Sequence, residues 1–577
     1  MNQPSPAIVA QGAVRRLPRI ALWLFCIAYV LPGFVGRGPW KSADMTAFGY
    51  MFELARGQPN WFNPPLLAGL APSVDGPLPY WLGAWALMLA PPWIAPDFAA
   101  RIPFILLLSM TLVATWYGTY YLARSPQAQP VAFAFGGEAN APDYARAIAD
   151  GGLLAFIASL GLAQLSHETT PAVAQLFFTA LAFFAFSALN YRVLAPVVGG
   201  VVGLAGLGLS GAPTLAVLLG LGGAAIHLLD RSADSQERTD NASKRMLWTW
   251  LIASVTVGVA ALASILDLWH WRIDLPGATW ADWRGIGRLL LWFTWPAWPL
   301  AIWTVWRWRL QLGQLKRGIL HRHLALPLWW IVVMLGNTVL TGAGDRALLL
   351  ALPALAALAA FALPTLSRSV AALVDWFTLL FFTGCATIIW VVWIAMQTGV
   401  PPQPAANVAR LAPGFVHSFT YTAFLLAIAA TIAWGWLVKW RVGRHQAAIW
   451  KSLVLPAGGA ALCWLLLMTL WLPLLDFARS YTVLAQSIKR VVGDPACVEI
   501  HALDRGQTAA FQFHANLKLR TAGAVARCDW LLVDRDATGS LADAVDMTEW
   551  TPQYFGYRPS DRDDDVLLYR RLARAVR

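Results

Sequence analysis

The sequence predicts an all-α polytopic membrane domain of about 13 transmembrane helices, followed by a small C-terminal α/β domain. Three observations predict it. The apolar fraction is 58% against 13% charged residues, with a mean hydropathy of +0.54, outside the range of soluble globular chains. Apolar runs of about 16–22 residues, long enough to cross a bilayer as helices, recur along most of the chain. From Leu475 the composition turns abruptly polar for about a hundred residues, enough for one small domain.

The first apolar stretch, 17–35, has the arginines and apolar core of a signal peptide. It lacks a small-x-small cleavage site before Gly36 and reads as a retained first helix. The segment 36–101 is too polar and proline-rich for one spanning helix, and too aromatic for an ordinary solvated loop. A long connection with structure of its own is usually functional, so this segment is expected to form the roof and one wall of a site at the membrane surface. Within it, 78–93 is bracketed by Pro77, Pro79, Pro91 and Pro92 and is expected as an interfacial helix. The remaining spans are expected at 102–122, 151–166, 169–189, 193–210, 211–229, 246–266, 289–306, 324–341, 347–366, 376–397, 415–438 and 453–475.

Charge placement orients these spans. With the N-terminus cytoplasmic, twenty basic loop residues fall inside and nine outside, as the positive-inside rule requires. Making 78–93 a full span would invert the bias. An odd number of spans places the C-terminal domain outside, in the periplasm if the membrane is a bacterial inner membrane. The expected division is a membrane domain over 1–474 and an outer domain over 475–577. In the latter, 476–492 reads as an amphipathic helix, and 497–503, 529–533 and 565–569 as short strands. Cys497 and Cys528 are the cysteine pair of that domain, and an oxidising compartment makes them disulfide candidates. Cys26, Cys385 and Cys463 lie in apolar segments.

The net charge of +12 follows loop topology and gives no nucleic-acid signal, and the 32 tryptophans fit interfacial belts. There is no Walker loop, dinucleotide fingerprint, zinc-ligand cluster or nucleophile elbow. What remains is a set of ionisable residues at the outer ends of apolar helices, where charge is costly and tends to serve function.

Asp44 follows the first span. Ser42 is a candidate cap for a helix beginning near Asp44, which would put Asp44, Phe48 and Met51 on one face; a first-turn carboxylate is also an ordinary cap. Asp75 precedes GPLPYW, a turn sequence irrespective of function. His167 and Glu168 occupy an outside turn, Glu168 as a substrate ligand or a helix cap. Arg346 at a helix N-terminus works against the dipole and needs a partner, Asp345 or an anion. Arginine suits phosphate through its planar fork, and Arg101 is the other fixed cation on that side; headgroup snorkelling is the alternative for both. The loop carrying Trp269, His270, Trp271, Arg272, Trp280, Trp283 and Arg284 reads as an interface belt or a sugar-stacking surface.

The order of these parts resembles the GT-C superfamily of lipid-dependent glycosyltransferases, near the bacterial protein O-mannosyltransferase-like and lipid A aminoarabinose transferase families. The family's acid in the first outer loop is matched by Asp44; its usual second acid is Met45 here. Its lysine-proline-proline-leucine-x-tyrosine-tryptophan stretch is similar to Asp75-Gly76-Pro77-Leu78-Pro79-Tyr80-Trp81, and its threonine-lysine-glycine-proline turn to Ser210-Gly211-Ala212-Pro213, both without the lysine. Arg101, Glu168 and Arg346 match the following arginine, the acidic turn and the later basic residue.

The resemblance implies transfer of a sugar from a polyprenyl-phosphate donor such as undecaprenyl phosphate to an acceptor hydroxyl on a lipid, glycan or protein at the outer face. It also implies inversion by single displacement. Asp44 would be the catalytic base, Arg101 and Arg346 the phosphate ligands, and Asp75, Tyr80, His167 and Glu168 substrate-binding groups. Lipid phosphate is a good leaving group, so one base and stabilising cations suffice, whereas hydrolysis would want two flanking carboxylates. No bound metal or cofactor is required, with an accessory divalent ion left open. The alternatives are a transporter or flippase of lipid-linked sugars, against which stands the lack of repeats and broken helix pairs, and a non-catalytic binding subunit, favoured by the two missing lysines.

Overall fold

The structure, a computed structural model, describes residues 5–57, 61–62, 66–73, 76–230, 238–270, 273–277, 279–317, 319–342, 344–443, 448–523, 525–558 and 560–572. Asp75, Trp271 and Arg272 lie outside these residues.

Among the described residues, seven helices are long and apolar enough to span a bilayer alone: Pro96–Ala123, Pro171–Ala188, Arg245–Ile265, Arg322–Leu340, Arg368–Thr398, Tyr421–Arg441 and Ile449–Leu470. Shorter apolar helices include Arg19–Val30, Leu194–Leu209 and Pro213–Leu229. The expected count of thirteen is therefore not established. Two of the expected spans are interrupted at prolines. That at 289–306 breaks between Trp280–Phe293 and Ala297–Arg307, around Pro296. That at 347–366 divides into Gly344–Leu349 and Leu352–Ala360, around Pro353; proline lacks the N–H a continuous helix uses.

Small residues let the bundle close. A Cβ at Gly203 would lie 2.8 Å from the Ala182 backbone nitrogen, and one at Gly220 2.2 Å from the Thr256 hydroxyl, so the glycines set how near these helices approach.

The first outer loop folds into Ala43–Ala55 and Leu78–Leu89 before Pro96–Ala123 begins. Asp44, Phe48 and Met51 share the buried face as expected. Ser42 occupies the N-cap position but its side chain makes no capping bond. Glu168 does not cap the next helix either, whose N-cap is Thr170.

The polar C-terminal region begins as two helices, Leu472–Arg479 and Thr482–Val492, divided near Ser480 where one was expected. A five-stranded sheet follows: β1 (Val498–His501), β2 (Leu519–Thr521), β3 (Trp530–Asp534), β4 (Trp550–Arg558) and β5 (Asp561–Arg571), in the order β2-β1-β3-β5-β4. β1 runs parallel to β2 and β3; β5 is antiparallel to β3 and β4. Two strands were not expected: β2, which is three residues long, and the edge strand β4, whose Pro552 and Gly556 weigh against a strand. Cys497 and Cys528 are joined by a disulfide.

The sheet domain rests on the outer loop through the helix Arg505–His514. A Cβ at Gly49 would lie 2.4 Å from that of Ala509. Lys41 Nζ donates to Asp564 (2.8 Å), Gly38 N–H to Asp476 (2.9 Å) and Arg505 Nε to the Ala71 carbonyl (2.8 Å). The Lys41 and Gly38 bonds fix the segment that leads into Asp44.

Candidate active site

Asp44 stands at the first turn of Ala43–Ala55, only 1% exposed. Arg37 Nη1 and the Trp40 N–H donate to its Oδ2 (2.7 and 3.1 Å), and the Thr169 N–H and hydroxyl donate to its Oδ1 (2.7 Å for the N–H). Burial alone would raise its proton affinity. The Arg37 and Arg101 guanidiniums and the Thr169 bonds outweigh that and hold the carboxyl down to about 2. Asp44 is therefore ionised at any physiological pH and has both oxygens engaged.

Arg37 spends the rest of its fork on the chain: Nη2 on the His167 carbonyl (2.7 Å), Nη1 also on the Gly38 carbonyl (3.0 Å). Arg101 is 1% exposed and faces inward, Nη1 donating to the Arg37 and Phe34 carbonyls and Nη2 lying 3.4 Å from Asp97. His167 packs among Tyr29, Phe34 and Trp464. Burial pushes its imidazole down to about 4, so it is neutral at physiological pH. These four residues tie the start of the outer loop to the turn at 166–170.

That turn borders a cavity of about 1120 Å³ enclosed by the outer loop, the outer ends of the bundle helices and the sheet domain. Ser42, Thr46, Tyr80, Thr170, Gln175 and Arg346 line it, as do Asp345, His270, Asp504 and Arg505. Arg346 Nη2 meets Glu168 at 3.0 Å, and Asp345 lies 3.9 Å from Nη1. The counter-charge that its place at the Gly344–Leu349 N-terminus demands thus comes from Glu168 first. Its side chain remains 38% exposed, whereas that of Glu168 is 4% exposed. Burial raises the Glu168 carboxyl, against the pull of Arg346.

The segments at Gly76 and at 210–213, where the resembling family carries lysines, are neighbours here. A Cβ on Gly76 would sit 2.1 Å from the Gly211 nitrogen, and Gly211, Ala212 and Pro213 line the cavity. Gln175 Nε2 holds that turn through the Ser210 carbonyl (2.7 Å).

The structure thus brings Tyr80 and Arg346 to the cavity surface, with Asp44, His167 and Glu168 in the shell behind it. Arg101, expected as a phosphate ligand, is instead directed at backbone carbonyls. Arg37, Thr169, Gln175 and the Asp504–Arg505 pair were not singled out from sequence. The signal for Arg37 was present, a cation at the end of an apolar helix with a carboxylate seven residues on. Contacts such as Thr169 with Asp44, 125 residues apart, carry no local signature.

No protein-family profile and no curated protein matches the chain. Two solved structures do. The crystal structure of ArnT from Cupriavidus metallidurans bound to undecaprenyl phosphate is 13% identical, with a TM-score of 0.54, over 96% of this chain and 97% of that one. The apo structure of the same protein is 14% identical, with a TM-score of 0.56, over 96% of each chain. At such identity the likeness establishes the fold alone: a helical membrane bundle that carries a small sheet domain.

Proposed function

We propose that the chain is a membrane glycosyltransferase that moves a sugar from a polyprenyl-phosphate donor to an acceptor hydroxyl at the outer face of a bacterial inner membrane, with inversion. The observation that carries the reading is the cavity. It has room for a sugar, a phosphate and the first prenyl units, opens where a membrane fold meets an outer domain, and presents Arg346 pinned by Glu168. The fold likeness to a protein solved with undecaprenyl phosphate supports the donor class.

In this proposal Arg346 receives the phosphate charge as the glycosidic bond breaks; its two-pronged fork suits two phosphate oxygens. No general acid is needed, because the phosphate leaves as an anion. The Glu168 carboxylate holds the fork in place. Asp44 organises the floor by fixing Arg37 and the 166–170 turn. A carboxyl held at about 2 is a weak base, so Asp44 takes the acceptor proton only if acceptor entry strips it of the Thr169 bonds. Asp345 is a carboxylate that already lines the cavity, beside Arg346. Arg101 and His167 position the loop, and Tyr80, together with Asp75 five residues earlier in the sequence, orients the sugar or acceptor.

The test is transfer from a panel of radiolabelled polyprenyl-phosphate sugars in purified membranes, with wild type beside Asp44→Asn and Asp345→Asn. Label moved to an acceptor supports the enzyme; label lost in Asp345→Asn names Asp345 as the base, and label lost in an Asp44→Asn protein shown by its unfolding curve to be folded names Asp44. Donor bound without transfer in wild type would refute it. The bonding of both Asp44 oxygens favours a second reading, a binding subunit on this fold, which predicts that last outcome.

A further inference from the structure

The helices Pro213–Leu229 and Arg322–Leu340 line the cavity with one end each, through Pro213–Leu218 and Val332–Leu340. At about 1.5 Å per residue, Arg322 lies about 27 Å from Leu340, close to the thickness of a bilayer core. At that far end is a second concentration of buried charge. Arg322, 3% exposed, lies 3.7 Å from Asp230 at Nε. Among the described residues its Nε and Nη1 make no hydrogen bond, nor does either ring nitrogen of His227, 5% exposed and within reach of the same charges. Arg245 Nη1 donates to the Asp230 carbonyl (3.3 Å), and the Arg124 and Arg322 guanidiniums both lie over the Tyr191 ring, at 5.3 and 5.9 Å.

Arg322 and Arg124 thus meet over the Tyr191 ring, with Arg245 held beside them at the Asp230 carbonyl. A buried guanidinium with unmade bonds is costly and is satisfied best by an oxyanion with several acceptor oxygens. Near the cluster, an apolar groove is lined by Leu189, Val197, Leu204, Trp248 and Val255. Leu189 is two residues from Tyr191 and Trp248 one helical turn from Arg245. Cations at the membrane surface joined to an apolar groove are the complement of one molecule, a lipid with an anionic phosphate head.

We propose that Arg322, Arg124 and Arg245 form a second phosphate site, at the opposite membrane face from the cavity, which holds the head of an anionic phospholipid whose chain lies along the groove. It stands independently of the transferase reading.

The test is native mass spectrometry of the full-length protein released from detergent, in the Arg346→Ala background so that a lipid in the cavity is not counted. Phosphatidylglycerol is offered beside phosphatidylcholine, with inorganic phosphate as competitor. The expected result is one phosphatidylglycerol retained at least tenfold over phosphatidylcholine. Arg124→Ala and Arg322→Lys should each lower that retention about tenfold, the second because an ammonium cannot reproduce the fork. Arg124 is half-buried and separates lost binding from misfolding. Equal retention of both lipids, retention unchanged in the Arg124 variant, or inorganic phosphate bound while lipid is not, would each overturn the proposal.

Discussion

The Arg37–Asp44 pair gives the most demanding prediction, since both side chains are 1% exposed and 2.7 Å apart. Replacing Asp44 by Asn keeps volume and hydrogen-bonding shape but leaves the Arg37 guanidinium buried without its counter-charge. Removing one partner of a buried pair costs roughly 3–5 kcal/mol. An independent figure comes from the carboxyl itself. Lowering it from 3.8 to about 2 corresponds, at about 1.4 kcal/mol per unit, to about 2–3 kcal/mol. The two agree in order of magnitude. The assay is a double-mutant cycle of Arg37→Gln and Asp44→Asn, read as urea unfolding of the detergent-solubilised protein by tryptophan fluorescence. Each single variant should lose about 3 kcal/mol and the double variant less than their sum, with a coupling of about 2 kcal/mol. The sign with pH is fixed. A depressed carboxyl contributes stability above its unfolded value, lost only as pH falls through about 2, so the deficit of Asp44→Asn should be flat between about pH 5 and 8. A coupling under about 0.5 kcal/mol, or a deficit that changes across that window, would refute the reasoning.

Arg346→Ala should raise the KM for labelled donor about tenfold or more, and Glu168→Gln by a smaller factor with kcat nearly unchanged, because it only loosens the fork; initial-rate kinetics in membranes separate the two. Burial raises the Glu168 carboxyl, so the folded state holds the extra proton in the window just above the unfolded value of about 4.3. Stability relative to Glu168→Gln should fall as pH rises through that window, read as melting temperature from pH 4 upward. Gly76→Ala would place a methyl 2.1 Å from the Gly211 nitrogen and should cost about 1–3 kcal/mol while lowering transfer; wild-type rates in that variant would detach the two turns from the site. Reducing Cys497–Cys528, which spans 31 positions, should lower outer-domain stability by about 3–4 kcal/mol on the chain-entropy estimate, measured by proteolysis of the outer domain with and without reductant.

The sequence by itself determined what depends on composition and local order. The apolar runs dictate a helical bundle because backbone groups in lipid must be bonded within their own segment. The break at Leu475 announces an outer domain, and the prolines around 78–93 a short helix. Sequence also placed Arg346 beside a needed anion, because a cation at a helix N-terminus is locally uncompensated. Tertiary structure alone decided how the charges were shared. Arg101 and Arg346 look equivalent along the chain, yet one is turned onto backbone carbonyls and the other onto a cavity. Asp44 reads as a base from its place after the first helix. Thr169, 125 residues away, and Arg37 saturate it, and contact across such separations leaves no periodicity to detect. The outer wall of the cavity, Asp504 and Arg505, comes from the far end of the chain. Packing of a distant domain is what makes those two residues part of the site.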